Sequence, residues 1–299
     1  MTVSEATGAL REAGVQTLVL GRERDLGGFS VRRILPALGH RMVGPFIFYD
    51  HFGPITFAPG QGMDVRPHPH IALATISYLF DGELVHRDSL GSHQPIRPGD
   101  VNWMTAGCGI VHSERTSPEQ RASGARLHGV QSWVALPTHE EERAPSFEHH
   151  PASTLPAFRD GQAELRLLAG SAYGLTASTP VLSPTLYVHA RLAAGAALRV
   201  DATHAERAAY VAQGTIEIGG ERFGVGTLLV FEPSVEAELR ALEAAHVMLL
   251  GGAPLGERFI EWNFVSSSRE RIERAKDDWR KQRFPKVPGD EVEFIPLPD

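Results

Sequence analysis

Two short stretches hold the residues best placed to do chemistry. Residues 67–70 read PHPH, so His68 and His70 stand one residue apart, each behind a proline. Further along the chain reads GIVHSE, with His112 and Glu114 again one residue apart. Pro67 and Pro69 bias Arg66 and His68 toward extended backbone. In extended chain, residues i and i+2 face the same way, so His68 and His70 point together, and so do His112 and Glu114. If the two segments are neighbours, three imidazoles and one carboxylate converge. That donor set suits a divalent transition metal: iron, manganese, nickel, copper, cobalt or zinc. No thiolate stands nearby, which argues against a structural zinc of the cysteine-rich kind. Four protein ligands leave a position open on a five- or six-coordinate ion, where substrate or dioxygen chemistry becomes accessible. The donor types do not choose the element. The PHPH pair alone reads equally as a hydrogen-bonded pair or a surface accident, and the His112–Glu114 pair alone carries less weight; the combination points to a metal.

The elements that must position these residues read as short strands. Residues 71–80, IALATISYLF, are apolar and rich in strand formers, and Asp81-Gly82 then offers a tight turn. ELVHRD alternates after it, QPIRPGD ends at a corner, and VNWMT and IVHSE flank the glycine-rich AGCG. Strands this closely spaced imply antiparallel hairpins rather than βαβ units. The second half repeats the style in LYVHARL, AALRV, RAAYVAQG, TIEIGGERF, GTLLVF, EAELRAL and AHVMLLGG. Between the halves, residues 137–164 are polar and proline-rich and read as an excursion between two β-modules. The expected division is a metal-binding domain over 1–136, this linker, and a second domain over 165–299 with a C-terminal helix and tail. In SSSRERIERAKDDWRKQRF, Ser267 and Glu270 form a candidate capping box, and Ile272, Ala275 and Trp279 share a helical face.

Composition narrows the function classes. The chain has 299 residues, 42% hydrophobic and 22% charged, with a formal net charge of −7. That acidic balance disfavours a general grip on nucleic acid. The single cysteine, Cys108, allows no internal disulfide and fits a reducing compartment. The N-terminus does not read as a signal peptide, and no apolar run approaches the roughly 20 residues that span a bilayer. The expectation is a soluble cytoplasmic protein with no membrane partner.

GMDVRPHPH, GELVHRDSLG, IRPGDVNWMTAGCGIVHSE and the later LLGG and PLGE segments, in that order, resemble the pirin family, a two-domain branch of the cupin superfamily. The resemblance runs from about residue 20 to about residue 285. Gly62 and His68-Pro69-His70 also match the general cupin pattern. Thr75 stands where many cupins place a glutamate ligand, and Glu114 resembles the carboxylate that pirins use instead.

The resemblance implies an all-β fold: two antiparallel jelly-roll cupin barrels packed face to face, with short helices. It implies one metal, iron first, held by His68, His70, His112 and Glu114. The second domain has no matching motif; His189, His204 and His246 stand apart in sequence, and that domain is expected to be metal-free. Some bacterial pirins are described as quercetin 2,3-dioxygenases. By that analogy a flavonol would be deprotonated, with Glu114 as the candidate catalytic base, and cleaved by dioxygen with loss of carbon monoxide. The competing class is a redox- or metal-responsive regulator that acts through an unnamed protein partner. A flat aromatic substrate needs an apolar lining, for which Phe46, Phe48, Phe52, Trp103, Met104 and Trp133 are candidates. Strand parity puts Trp103 and Met104 on opposite faces. Asp50, His51, Arg66, His86 and Cys108 are further candidates near the pocket.

Overall fold

The computed structural model describes residues 4–5, 8–25 and 29–298. The chain forms two compact units. One takes Met1–Arg24, Arg32–His51 and Ser153–Pro254; the other takes Asp25–Val31, Phe52–Ala152 and Leu255–Asp299. The segment from Leu255 onward therefore folds with the unit that carries the histidine motifs.

In that unit the strands that matter to the site are β1 (Asp64–His70), β2 (Leu73–Gly82), β3 (Leu84–Asp88), β4 (His93–Ile96), β5 (Val101–Thr105), β6 (Ile110–Arg115), β7 (Ala125–Ala135) and β8 (Ser146–His150). All their pairings are antiparallel. They form two walls: a sheet in the order β8-β5-β2-β7, and a four-stranded sheet in the order β1-β6-β3-β4. Seven successive residues of β2, Leu73–Leu79, are buried. A central strand covered on both faces reads as a continuous apolar run, which is why IALATISYLF lacks alternation. The turn after it needs glycine. Gly82 has φ +90°, and a Cβ there would lie 2.0 Å from the Arg126 carbonyl oxygen. The polar stretch after residue 137 is not all excursion, because it supplies β8, which pairs with β5.

The other unit is a second antiparallel barrel. A nine-stranded sheet carries Thr185–Leu192, Glu206–Gln213, Thr227–Phe231 and Ala245–Gly252, and a four-stranded sheet carries Ala197–Val200 and Ala237–Ala241. Leu186, Val188 and Ala190 of one strand meet Val247 and Leu249 of its neighbour in the core. Ala237–Ala241 alternates buried and exposed, as expected of a strand with one wet face.

One helix follows in the chain, α1 (Arg269–Arg280). Its N-cap is Ser268, whose hydroxyl accepts from the Arg271 amide at 3.3 Å and donates to Glu270 at 2.7 Å. The expected cap was one residue earlier. Ser267 is unavailable because its amide and hydroxyl both donate to Glu141. The buried stripe Ile272, Ala275 and Trp279 packs with Ile71, Val111 and Phe264. Ile71 and Val111 each adjoin a histidine, so the helix packs behind the strands that present the imidazoles. Burying a side chain the size of Ile272 contributes about 2 kcal/mol. Among the described residues no helix is long and apolar enough to cross a membrane.

Candidate metal centre

β1 sits at the edge of its sheet. An edge strand leaves one side free of ladder bonds, which is where a sequence with two prolines can still be a strand. That edge is covered: the Ile295 amide of the C-terminal tail donates to the Pro67 carbonyl at 2.9 Å. The register sets His112 on β6 opposite His68 on β1, with Ile110 opposite His70. A bulge between His112 and Glu114 shifts the pairing, so Glu114 faces Val65 across the ladder.

The structure brings His68, His70 and His112 together. One ring nitrogen from each lies within 4.8 Å of the others, and all three residues are buried. His68 Nδ1 is 2.8 Å from the Arg66 carbonyl oxygen, and His70 Nδ1 is 3.0 Å from the Asn263 carbonyl oxygen. A carbonyl can only accept, so each Nδ1 carries the proton and each Nε2 of the neutral ring keeps a lone pair. His70 Nε2 lies 3.1 Å from His112 Nε2. Burial holds all three below the ordinary histidine range, His70 and His112 well below it, and their mutual repulsion adds to this for His70 and His112. The buried His112 Nδ1 has no hydrogen-bond partner. Neutral imidazoles with oriented lone pairs in a dry pocket are the form a transition metal requires, so these residues fit the ion that the sequence suggests.

Glu114 lies outside that 4.8 Å group. Its two oxygens are held from the facing sheet: Ser77 Oγ donates to Oε1 at 2.9 Å and Gln131 Nε2 donates to Oε2 at 2.7 Å. Ser77 and Gln131 are cross-strand partners, and no sequence pattern singled them out. The next row along that sheet runs Trp133, Thr75, Met104, Phe147 across four strands. Directly opposed residues share a face, so this row looks into the same chamber as Ser77. Trp133 meets His70 edge-on at 4.9 Å. Thr75 thus occupies a wall position beside the ligands' chamber rather than a ligand's place.

His86 and Asp88 complete the chamber. His86 faces Glu114 across the ladder and Asp88 faces His112. His86 stacks on Phe147 at 4.3 Å, and its Nε2 is 2.9 Å from Asp88 Oδ2. Burial pushes the Asp88 carboxyl up, but hydrogen bonds from His86 and Ser92 outweigh it and hold it low.

Other candidates lie elsewhere. Trp103 faces away from Met104, and its Nε1 donates to Thr105 Oγ1 at 3.1 Å. Phe46 packs on Tyr187, and Phe48 lies under the Arg33 guanidinium. Both phenylalanines belong to the other unit. Phe52 joins an apolar cluster with Leu79 and Leu84. Asp50 forms a two-point ion pair with Arg33, and His51 Nδ1 is 2.7 Å from the Tyr210 hydroxyl. Cys108 is exposed, and its carbonyl accepts from Arg271. In the second barrel, His189 and His246 are not isolated: His189 Nε2 lies 3.2 Å from His246 Nδ1 on the neighbouring strand. His204 is buried, with Nε2 2.8 Å from the Ser171 carbonyl.

This arrangement has relatives. The family model described as Pirin matches residues 28–134, and the Pirin C-terminal cupin domain matches residues 187–285. A pirin-like protein of Caulobacter vibrioides is 52% identical over 281 residues, covering 93% of this chain and 97% of that protein. A Pseudomonas aeruginosa protein provisionally named a quercetin 2,3-dioxygenase is 40% identical over 282 residues, covering 91% of this chain and 87% of that protein. Among solved structures, a quercetin 2,3-dioxygenase from Acinetobacter baumannii superposes with a TM-score of 0.90 at 31% identity, covering 97% of each chain. The edge-strand histidine pair, the facing histidine and glutamate two residues apart, and the two barrels thus fall together: the chain belongs to the pirin family, with its two cupin domains.

Proposed function

We propose that this protein is a metal-dependent dioxygenase that cleaves flavonols such as quercetin. The observation that carries the reading is the trio of buried, neutral histidines, two of them locked by backbone carbonyls into the tautomer that presents Nε2. The dioxygenase names carried by the Pseudomonas and Acinetobacter relatives support the choice of chemistry. His68, His70 and His112 would hold the ion, with Glu114 as the fourth protein group and iron as the native metal. A bound transition ion would supply Lewis acidity toward a flavonol hydroxyl and redox chemistry toward dioxygen.

The chain's own residues do the rest. Glu114 accepts the proton of that hydroxyl on one of its carboxylate oxygens. Ser77 and Gln131 leave each of those oxygens a further lone pair and stop the side chain from swinging away. Trp133, Met104 and Phe147 give a flat ring an apolar wall and exclude water from it. In the net reaction both atoms of dioxygen enter the products, and one ring carbon leaves as carbon monoxide.

The test is anaerobic reconstitution with iron, manganese, cobalt, nickel, copper or zinc, one at a time. Oxygen uptake and product mass are then followed with quercetin. Metal-dependent uptake with a ring-cleaved product supports the proposal. Stoichiometric loading without turnover across a flavonol panel would instead support a regulator acting through protein contacts. Glu114→Gln should lower kcat about 100-fold or more at full metal content; unchanged turnover would remove the base role.

A further inference from the structure

Next to the row of apolar residues runs a polar one. His149, Asn102, Ser77 and Gln131 are successive cross-strand partners over β8, β5, β2 and β7. Directly opposed residues of antiparallel strands put their side chains on one face. The Ser77 and Gln131 side chains reach Glu114, so the face of this row is the one that looks into the chamber. Asn102 is therefore on the chamber wall, and it is only 4% exposed.

The two ends of its amide are treated differently. Oδ1 is 2.7 Å from His149 Nδ1. A carbonyl oxygen only accepts, so His149 donates there and the NH₂ group is turned the other way. His149 Nε2 in turn lies 3.9 Å from Asp100 Oδ2, and Asp100 is anchored by the Ala152 and Arg97 amides at 2.8 and 3.2 Å. With Oδ1 engaged by His149, the other end of the amide is the one left over. The presented end, Nδ2, is buried with no hydrogen-bond partner. A buried donor without a partner is costly, and a leucine of similar size would fill the same space without that cost. The arrangement makes sense if the partner arrives with a ligand.

We propose that Asn102 is a substrate-binding residue whose side-chain NH₂ donates to a carbonyl or hydroxyl oxygen at the rim of a planar aromatic substrate. The inference rests on the dioxygenase reading above and adds a specificity contact to it. The two rows divide the labour. Trp133, Met104 and Phe147 take the ring face, while Asn102, backed by His149, takes an oxygen substituent. The favoured ligand is therefore an oxygenated aromatic rather than a hydrocarbon ring.

The experiment compares wild type with Asn102→Leu and Asn102→Asp, each loaded with the metal that gives turnover. The Asp variant keeps an acceptor for His149 and the side-chain shape but removes the donor. Binding is read by anaerobic absorbance titration with quercetin and with 3-hydroxyflavone, which keeps the carbonyl but lacks the outer hydroxyls. Metal content and the melting temperature of the metal-free protein are measured alongside. The expected result is a Kd raised about 10- to 100-fold for quercetin in both variants, with metal content little changed and the melting temperature of the Leu variant not lowered. A matching loss with 3-hydroxyflavone places the contact at the carbonyl or the 3-hydroxyl that both flavonols share; no loss there places it at one of the outer hydroxyls. Variants that lose melting temperature but bind both flavonols like wild type would overturn the proposal and make Asn102 a structural residue. If wild type itself binds neither flavonol with any metal, the dioxygenase reading fails and the contact with it.

Discussion

Stripping the metal and acidifying from pH 7.5 to 5.5 should destabilise the unit that carries the histidine trio. Burial keeps His68, His70 and His112 below the ordinary histidine range, whereas the unfolded chain returns each to about 6.5. The unfolded state therefore binds protons first. The stability tied to neutral rings is present above about pH 6.5 and is lost as pH falls toward the folded values. For a ring that stays neutral when folded, the loss between pH 7.5 and 5.5 is slightly over about 1 kcal/mol, so His70 and His112, held well below the ordinary range, lose about 3 kcal/mol together, and His68 adds in the same direction. That is a large share of a typical domain's stability. The assay is urea unfolding of chelator-treated protein, followed by tryptophan fluorescence. All four tryptophans, Trp103, Trp133, Trp262 and Trp279, lie in the site-bearing unit, so the signal reports that unit. His150, in the same unit, is also lowered, first by burial, and adds to the trend. The control is His70→Asn, whose amide can still donate to the Asn263 carbonyl; its pH slope should be clearly shallower than that of wild type. Stability that is flat between pH 7.5 and 5.5, or a variant with the wild-type slope, would show that the rings are not held neutral by the fold.

Three other perturbations have defined outcomes. Gln131→Leu leaves Glu114 Oε2 without its 2.7 Å donor and should destabilise the metal-free protein by about 1–3 kcal/mol in the same urea assay. Glu141→Ala strands Arg258, which is 5% exposed and 3.2 Å from Glu141, and also removes the acceptor of Ser266 and Ser267; it should cost about 3–5 kcal/mol. Gly82→Ala drives a Cβ into the Arg126 carbonyl and should cost more than about 4 kcal/mol, whereas Gly91→Ala, at a similar φ with nothing within 4 Å, should cost about 1 kcal/mol; thermal melts of the pair separate the clash from the backbone effect.

What could be read in advance follows from the range of each interaction. His68 and His70 share a face because of strand parity, a property of two adjacent residues, and so do His112 and Glu114. Their convergence required β1 and β6 to pair, which the residues left as a condition and only the family resemblance implied. The partners of Glu114 were illegible. Ser77 and Gln131 lie opposite each other only through the register of β2 and β7, which shifts at a bulge between His128 and Gly129. The His189–His246 contact was missed for the same reason, since it joins two strands whose pairing leaves no mark on either. Asn263 was harder still: its contribution is a backbone carbonyl, and residue type carries no information about that. The helix cap was misplaced by one residue because Glu141, far away in sequence, had already engaged Ser267.

The Asn263 carbonyl that sets the His70 tautomer arrives 193 residues after the histidine it serves. During synthesis, a ribosome must add 193 further residues before that imidazole is locked. The nascent chain therefore meets cellular ions with its motif complete and its donor geometry unfinished. A transcript cut short ahead of that asparagine would keep every residue by which a motif scan recognises the centre, yet its product would lack the lock.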